Sequence, residues 1–140
     1  MVLIGMNLAR LNIKGNTVIF WDLGGQIKMR SMWEKYYDEA DAVMFIVDSA
    51  DIGRLEEAKL AYDSVCEHDS LSRVPVLTIA NKQDLPGALS SNDLSINFYP
   101  IQDVAEKSKV FAVSALTGQG FQEAISAVID HAARHCRNTR

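Results

Sequence analysis

Apolar residues gather into four short runs along the chain: Thr17–Trp21 (TVIFW), Ala42–Val47 (AVMFIV), Val74–Ala80 (VPVLTIA) and Lys109–Val113 (KVFAV). Near-continuous apolar runs of this length suit strands buried on both faces, as in a parallel sheet covered by helices. Between them lie amphipathic stretches. After Asp51, a residue type that favours the N-cap, Leu55, Ala58, Tyr62 and Val65 recur at near-helical spacing, and Phe121, Ile125, Val128, Ile129 and Ala132 repeat the pattern near the C-terminus. Alternating strand and helix predicts an α/β fold with a mostly parallel sheet. The start differs, because Lys14-Gly15-Asn16 is a turn signal that joins GMNLARLNI directly to TVIFW as an antiparallel hairpin. Its first arm alternates poorly, with Met6 and Leu8 on one parity and Leu11 and Ile13 on the other.

Composition narrows the function classes. With 140 residues and 48% apolar content, one globular domain with a real core is the expectation. The net charge of −4 offers no field that would gather nucleic acid, so an anionic ligand has to be held by local geometry. Cys66 and Cys136 are far apart and lack metal-ligand spacing, which points to reduced thiols in a cytoplasmic protein. No run is long enough to span a membrane, and MVLIGMNLAR has neither the basic start of a signal peptide nor the glycine that myristoylation requires.

Each apolar run ends in a polar residue: Asp22, Asp48, Asn81-Lys82 and Ser114. Taken singly, each is read as a turn or cap residue. Together they line the carboxyl ends of strands, where open α/β sheets bind ligands. Asn81-Lys82-Gln83-Asp84 has the form N-K-x-D. Its Asp84 carboxylate can accept paired donors, and guanine presents N1–H and N2–H₂ side by side where adenine has no such pair. The Lys82 stem can cover a flat base, and the Asn81 amide can tie neighbouring loops together. In Ser114-Ala115-Leu116 a backbone N–H can donate to the guanine O6. In WDLGGQ, Asp22 is suited to holding Mg²⁺ through water, Gly25 to letting its N–H approach a terminal phosphate, and Gln26 to orienting an attacking water. As a bare dipeptide, Gly24-Gly25 is equally well read as a plain turn.

With D-x-x-G at Asp22–Gly25, N-K-x-D at Asn81–Asp84 and S-A-L at Ser114–Leu116, the chain resembles a small GTPase, a branch of the P-loop NTPase fold. The wording WDLGGQ, MWEKYY and ANKQDLPGAL is similar to the ADP-ribosylation factor family, and FWDLGGQ with SMWEKYY to its ADP-ribosylation factor-related branch. The resemblance covers residues 5–135. It implies a GTP/GDP switch with Mg²⁺ as cofactor, acting in vesicle and Golgi traffic, with exchange factors, activating proteins and effectors as partners. It makes Gly5-Met6-Asn7 the opening of the interswitch hairpin and Asp22–Tyr37 the second switch. Met6, Trp21 and Tyr36 fall where the family has an apolar effector-binding triad, Met6 replacing a common aromatic.

One element of the family pattern does not occur in the 140 residues, the phosphate loop G-x-x-x-x-G-K-[ST], and Leu3 falls where the first-switch threonine is expected. The expectation is a fold lacking the first strand, that loop and the first helix, a unit of ~30 residues or more. The resemblance puts the strand between Thr17–Trp21 and Ala42–Val47, so two inner strand edges are expected to lie unpaired and nucleotide binding to be weak. The alternative is an interaction module without catalysis that keeps the hairpin and the second switch. A dinucleotide-binding enzyme is set aside for want of G-x-G-x-x-G. The basic ending HAARHCRNTR reads first as a helix end matched to its dipole and second as a contact with an anionic membrane. Peripheral association with Golgi membranes is implied for the complete form only.

Overall fold

The structure is a computed structural model that describes residues 6–99 and 110–139. Leu3, Gly5 and Lys109, on which three of the expectations above fall, lie outside the described residues. The chain divides into two compact units between Glu39 and Ala40.

In the N-terminal unit, β1 (Met6–Ile13) and β2 (Asn16–Leu23) pair antiparallel from Met6 opposite Leu23 to Ile13 opposite Asn16. Lys14 and Gly15 both have positive φ, 52° and 75°, the pattern of a two-residue type I′ turn whose twist matches that of the strands. The broken alternation of the first arm now has a structural meaning. Residues that face each other across an antiparallel pair share a side of the ribbon. Leu8 therefore sits with Trp21 on one side and Leu11 with Val18 on the other. Leu8, Leu11 and Ile19 are exposed. A 3-10 helix follows over Ile27–Glu39, which the apolar periodicity did not announce.

The C-terminal unit carries a parallel sheet of order β3 (Val43–Asp48), β4 (Val76–Asn81), β5 (Val110–Ala112), with α1 (Leu55–Glu67), α2 (Ser91–Phe98) and α3 (Phe121–Thr139). Among the described residues the hairpin and this sheet are hydrogen-bonded separately, so β3 is an edge strand. The run expected from Val74 enters the sheet only at Val76. Pro75 has no N–H to give a ladder, although its carbonyl accepts the Val43 N–H at 2.9 Å.

β4 is buried along five successive positions, as a central strand covered on both faces must be. On one face Phe45 of β3 meets Tyr62 of α1, and Tyr62 meets Phe98 of α2, with ring centroids 5.4 and 5.5 Å apart. On the other, Ile79 and Val113 form a core with Ala124 of α3. Ile46 stands beside Ile79 in register yet is 61% exposed, because α3 covers the centre of the sheet and leaves the β3 edge open. Met44, Ile46, Phe121 and Ile125 line the apolar hollow that results.

Two helix starts differ from expectation or were not foreseen. Asp51 precedes a 3-10 turn, Ile52–Arg54, and makes no side-chain cap bond, so α1 begins one turn later at Leu55. α2 has too few residues for a clear period. It is marked instead by a capping box, in which the Ser90 Oγ accepts the Asp93 N–H and the Asp93 carboxylate accepts the Ser90 N–H.

Candidate functional site

Parallel strands in register deliver their C-terminal residues to one rim. Asp48 stands directly opposite Asn81, and the Ser49 N–H donates to the Asn81 carbonyl at 3.1 Å. On the other side of β4 the Val113 N–H donates to the Ala80 carbonyl, and the Gln83 N–H returns to the Val113 carbonyl at 3.1 Å. The loop Asn81–Asp84 is thereby fastened to the ends of both neighbouring strands. The Gln83 side chain donates to the Leu89 carbonyl at 2.8 Å, and the Leu89 N–H to the Ser49 carbonyl at 2.8 Å, closing the loop on its outer side.

Side chains complete the rim. The Ser114 Oγ, fully buried, donates to Asp84 Oδ1 at 2.7 Å and accepts the Thr117 N–H at 3.1 Å. Asn81 Oδ1 accepts the Ala115 N–H at 3.0 Å, so the amide joins two loops 34 residues apart. An acceptor oriented by a buried hydroxyl, Asp84, thus stands beside the Ala115 turn. Leu116, next in sequence, is 83% exposed and its N–H makes no hydrogen bond among the described residues. That N–H is a donor which sequence reasoning had not separated from its neighbours.

Lys82 adopts positive φ, 66°, an arrangement that a residue with a side chain enters at a cost and that recurs at functional loops. Its Nζ lies 2.8 Å from Asp48 Oδ2. The hydrogen bond from Lys82 holds the Asp48 carboxyl below the usual carboxylate range, and the same bond raises the Lys82 ammonium.

Asp22, Gly25 and Gln26 belong to the N-terminal unit and are described within it. Asp22 is exposed at the end of β2, opposite Asn7. Gln26 is exposed, its side chain makes no hydrogen bond among the described residues, and its carbonyl accepts the Met29 N–H at 2.8 Å. A Cβ added at Gly25 would meet nothing within 4 Å among the described residues, so none of them demands glycine there. Bare backbone open to the outside is what the approach of a phosphate requires.

Two side chains that the sequence reading did not single out hold this loop. The Trp33 Nε1–H donates to the Gly24 carbonyl at 2.9 Å and the Arg30 Nε–H to the Gly25 carbonyl at 3.0 Å. The Arg30 guanidinium lies 6.0 Å from the Trp33 ring centre. Of the expected apolar triad, Trp21 and Tyr36 meet edge to face with centroids 5.3 Å apart, while Met6 is placed by its backbone opposite Leu23. The Trp21 indole N–H is buried without an acceptor among the described residues.

No group of three or more His, Cys, Asp or Glu gathers among the described residues, and Asp22 offers one exposed hard oxygen donor. That matches a Mg²⁺ which arrives with phosphate oxygens and keeps its waters, and it does not match a cage built by protein alone.

Comparison with known proteins bears on both units at once. Residues 2–132 match the ADP-ribosylation factor family. Human ADP-ribosylation factor-related protein 1 is 37% identical over 134 residues, which cover 94% of this chain and 67% of that protein. ADP-ribosylation factor-like protein 3 of Saccharomyces cerevisiae is 38% identical over 129 residues, covering 90% of this chain and 65% of that protein. A solved structure of the Arl6 BBS3 small GTPase from Trypanosoma brucei, with bound nucleotide analogue GppNp, superposes with a TM-score of 0.85 at 31% identity, covering 96% of this chain and 83% of that one.

Proposed function

The chain belongs to the ADP-ribosylation factor family and has the small GTPase fold, and from that membership together with the rim just described we propose that it binds guanine nucleotide as a switch. The observation that carries this reading is the pair of bonds from Ser114 to Asp84 and from Ala115 to Asn81, which bring two motifs 30 residues apart into one base seat. Asp84 keeps Oδ2 for the paired N1–H and N2–H₂ donors of guanine, while the Ala115–Leu116 turn supplies N–H for O6. The Lys82 stem covers the base. Asp22 would hold Mg²⁺ through water, Gly25 would meet the terminal phosphate, and Gln26 would orient the attacking water, with the metal supplying charge for the phosphate oxygens. Hydrolysis is slow until an activating protein completes the site. Exchange factors and effectors meet the hairpin and the segment from Asp22 to Tyr37, with Met6, Trp21 and Tyr36 as the apolar contact. Family membership supports, as part of the same proposal, action in vesicle and Golgi traffic from the cytoplasm and the Golgi membrane periphery.

A second reading is favoured by one observation: the hairpin exposes the large apolar side chains Leu8, Leu11 and Ile19. On it, the chain is an interaction module, unable to hold nucleotide, that engages effectors through the hairpin. Titration of the purified chain with GDP, GTP and ADP in Mg²⁺, followed by tryptophan fluorescence, separates the two. Binding of GDP and GTP in preference to ADP supports the switch. Equal or absent responses to all three overturn it and leave the module.

A further inference from the structure

Asp48 belongs to none of the three motifs, yet it makes the closest ionic contact to the base seat. Its Oδ2 lies 2.8 Å from the Lys82 Nζ, and its Oδ1 accepts the Ala50 N–H at 3.0 Å, which fixes the plane of the carboxylate. Asp48 is opposite Asn81 in the ladder, so its own position is set by the sheet. We propose that Asp48 is a positioning residue for guanine recognition: it anchors the Lys82 ammonium over the end of β3 and so keeps it away from the Asp84 carboxylate.

The reason lies in what surrounds Lys82. Three carboxylates, Asp48, Asp51 and Asp84, act on its ammonium. Asp84 is two residues away and has one oxygen already taken by Ser114, so an ammonium on the other would cover the acceptor that guanine needs. The positive φ of Lys82 launches the side chain from a bent loop, and the anchor on β3 leaves the methylene stem stretched between loop and strand. A partly exposed ion pair adds little to stability, so the consequence of this one is where the lysine is held.

The inference rests on the guanine-nucleotide reading, and its test separates the two. Wild type, Asp48→Asn, Lys82→Met and the double variant are titrated with GDP and with IDP, which lacks the exocyclic amino group. The Asp84 carboxyl ¹³C signal is followed by NMR in the same four chains without nucleotide. If the free ammonium occupies Asp84 most of the time, Asp48→Asn weakens GDP about fivefold, since apparent affinity falls with the competent fraction. IDP loses less, so the GDP-over-IDP preference shrinks. Lys82→Met keeps the apolar stem without the charge, so adding it to Asp48→Asn restores the preference.

In the nucleotide-free chain the Asp84 carboxyl ¹³C signal moves in Asp48→Asn relative to wild type, and returns in the double variant. A merely structural role would produce an equal loss in both lysine backgrounds. That result, or an Asp84 signal unmoved by Asp48→Asn, overturns the proposal while a wild-type preference for GDP leaves the nucleotide reading standing. Failure of wild type to bind GDP removes the reading. An Asp84 signal that still responds to Asp48→Asn then identifies the nucleotide reading as the part that failed.

Discussion

The buried hydroxyl of Ser114 donates to Asp84 Oδ1 at 2.7 Å, across 30 residues of sequence. This bond turns an exposed carboxylate into an oriented acceptor, because one oxygen is held and the other is aimed. Replacing Ser114 by Ala leaves the carboxylate to rotate in water and removes a hydrogen bond to a charged group. A stability loss of about 1–2 kcal/mol is expected by urea denaturation. Guanine-nucleotide affinity is expected to fall about tenfold in the fluorescence titration, the equivalent of one such bond. An unchanged nucleotide affinity would mean that Asp84 is oriented by something other than Ser114.

Gly120 joins the Ser114 turn to α3. Its φ is 71°, and a Cβ there would come within 2.2 Å of the Ala112 carbonyl oxygen, a backbone atom of β5. The Ser114 N–H donates to the carbonyl of Gln119, immediately before it, at 2.9 Å. Gly120→Ala must therefore move either the strand or the turn. The expected cost is more than about 3 kcal/mol, combining left-handed strain with a backbone clash. Thermal melting followed by circular dichroism checks this, and a melting temperature equal to that of wild type refutes it.

Trp33 and Arg30 occupy the carbonyls of Gly24 and Gly25. Phenylalanine at position 33 keeps the aromatic bulk and removes the N–H donor. Amide exchange at Gly25 and Gln26 is expected to speed up about fivefold, in line with the net worth of one hydrogen bond of about 1 kcal/mol. Hydrogen-exchange mass spectrometry on the peptide containing residues 22–33 reads this directly. Unaltered exchange there would show that Arg30 alone holds the loop.

The Asp48–Lys82 pair carries a pH signature. The Asp48 carboxyl is held below its ordinary value by the Lys82 hydrogen bond, so its contribution is present above about pH 4 and is lost as pH falls through the depressed value. The Lys82 ammonium is raised by the same bond, so its contribution is present below about pH 10 and is lost as pH rises through the raised value. Both side chains are partly exposed, so the effect is small. The melting difference between wild type and Asp48→Asn is expected to be flat from about pH 5 to pH 9, to shrink in acid below about pH 4, and to vanish once pH is below the depressed Asp48 value. A difference that grows as pH falls would contradict the pairing.

Local chemistry along the chain was enough to announce the strands, two of the helices and the hairpin turn, because buried parallel strands need unbroken apolar runs and a type I′ turn needs residues such as Lys14-Gly15 that reach positive φ. It was also enough to nominate Asn81, Asp84 and Ser114, since the polar residue that follows a buried strand stands at the rim of the sheet, while Asp22 and Gln26 were nominated by the wording WDLGGQ at the end of the hairpin. Its reach ended where an element is short or held by caps. α2 is signalled by Ser90 and Asp93 more than by its period, and the 3-10 stretch Ile27–Glu39 lacks a helical stripe. Tertiary structure alone decided which donors meet which acceptors. Ser114 reaches Asp84, Ala115 reaches Asn81, Trp33 reaches Gly24 and Lys82 turns to Asp48, through registers and loop closures that no spacing encodes. The residues on the rim follow from where each apolar run ends, a property of single segments. Their partnerships depend on how separate segments are laid side by side.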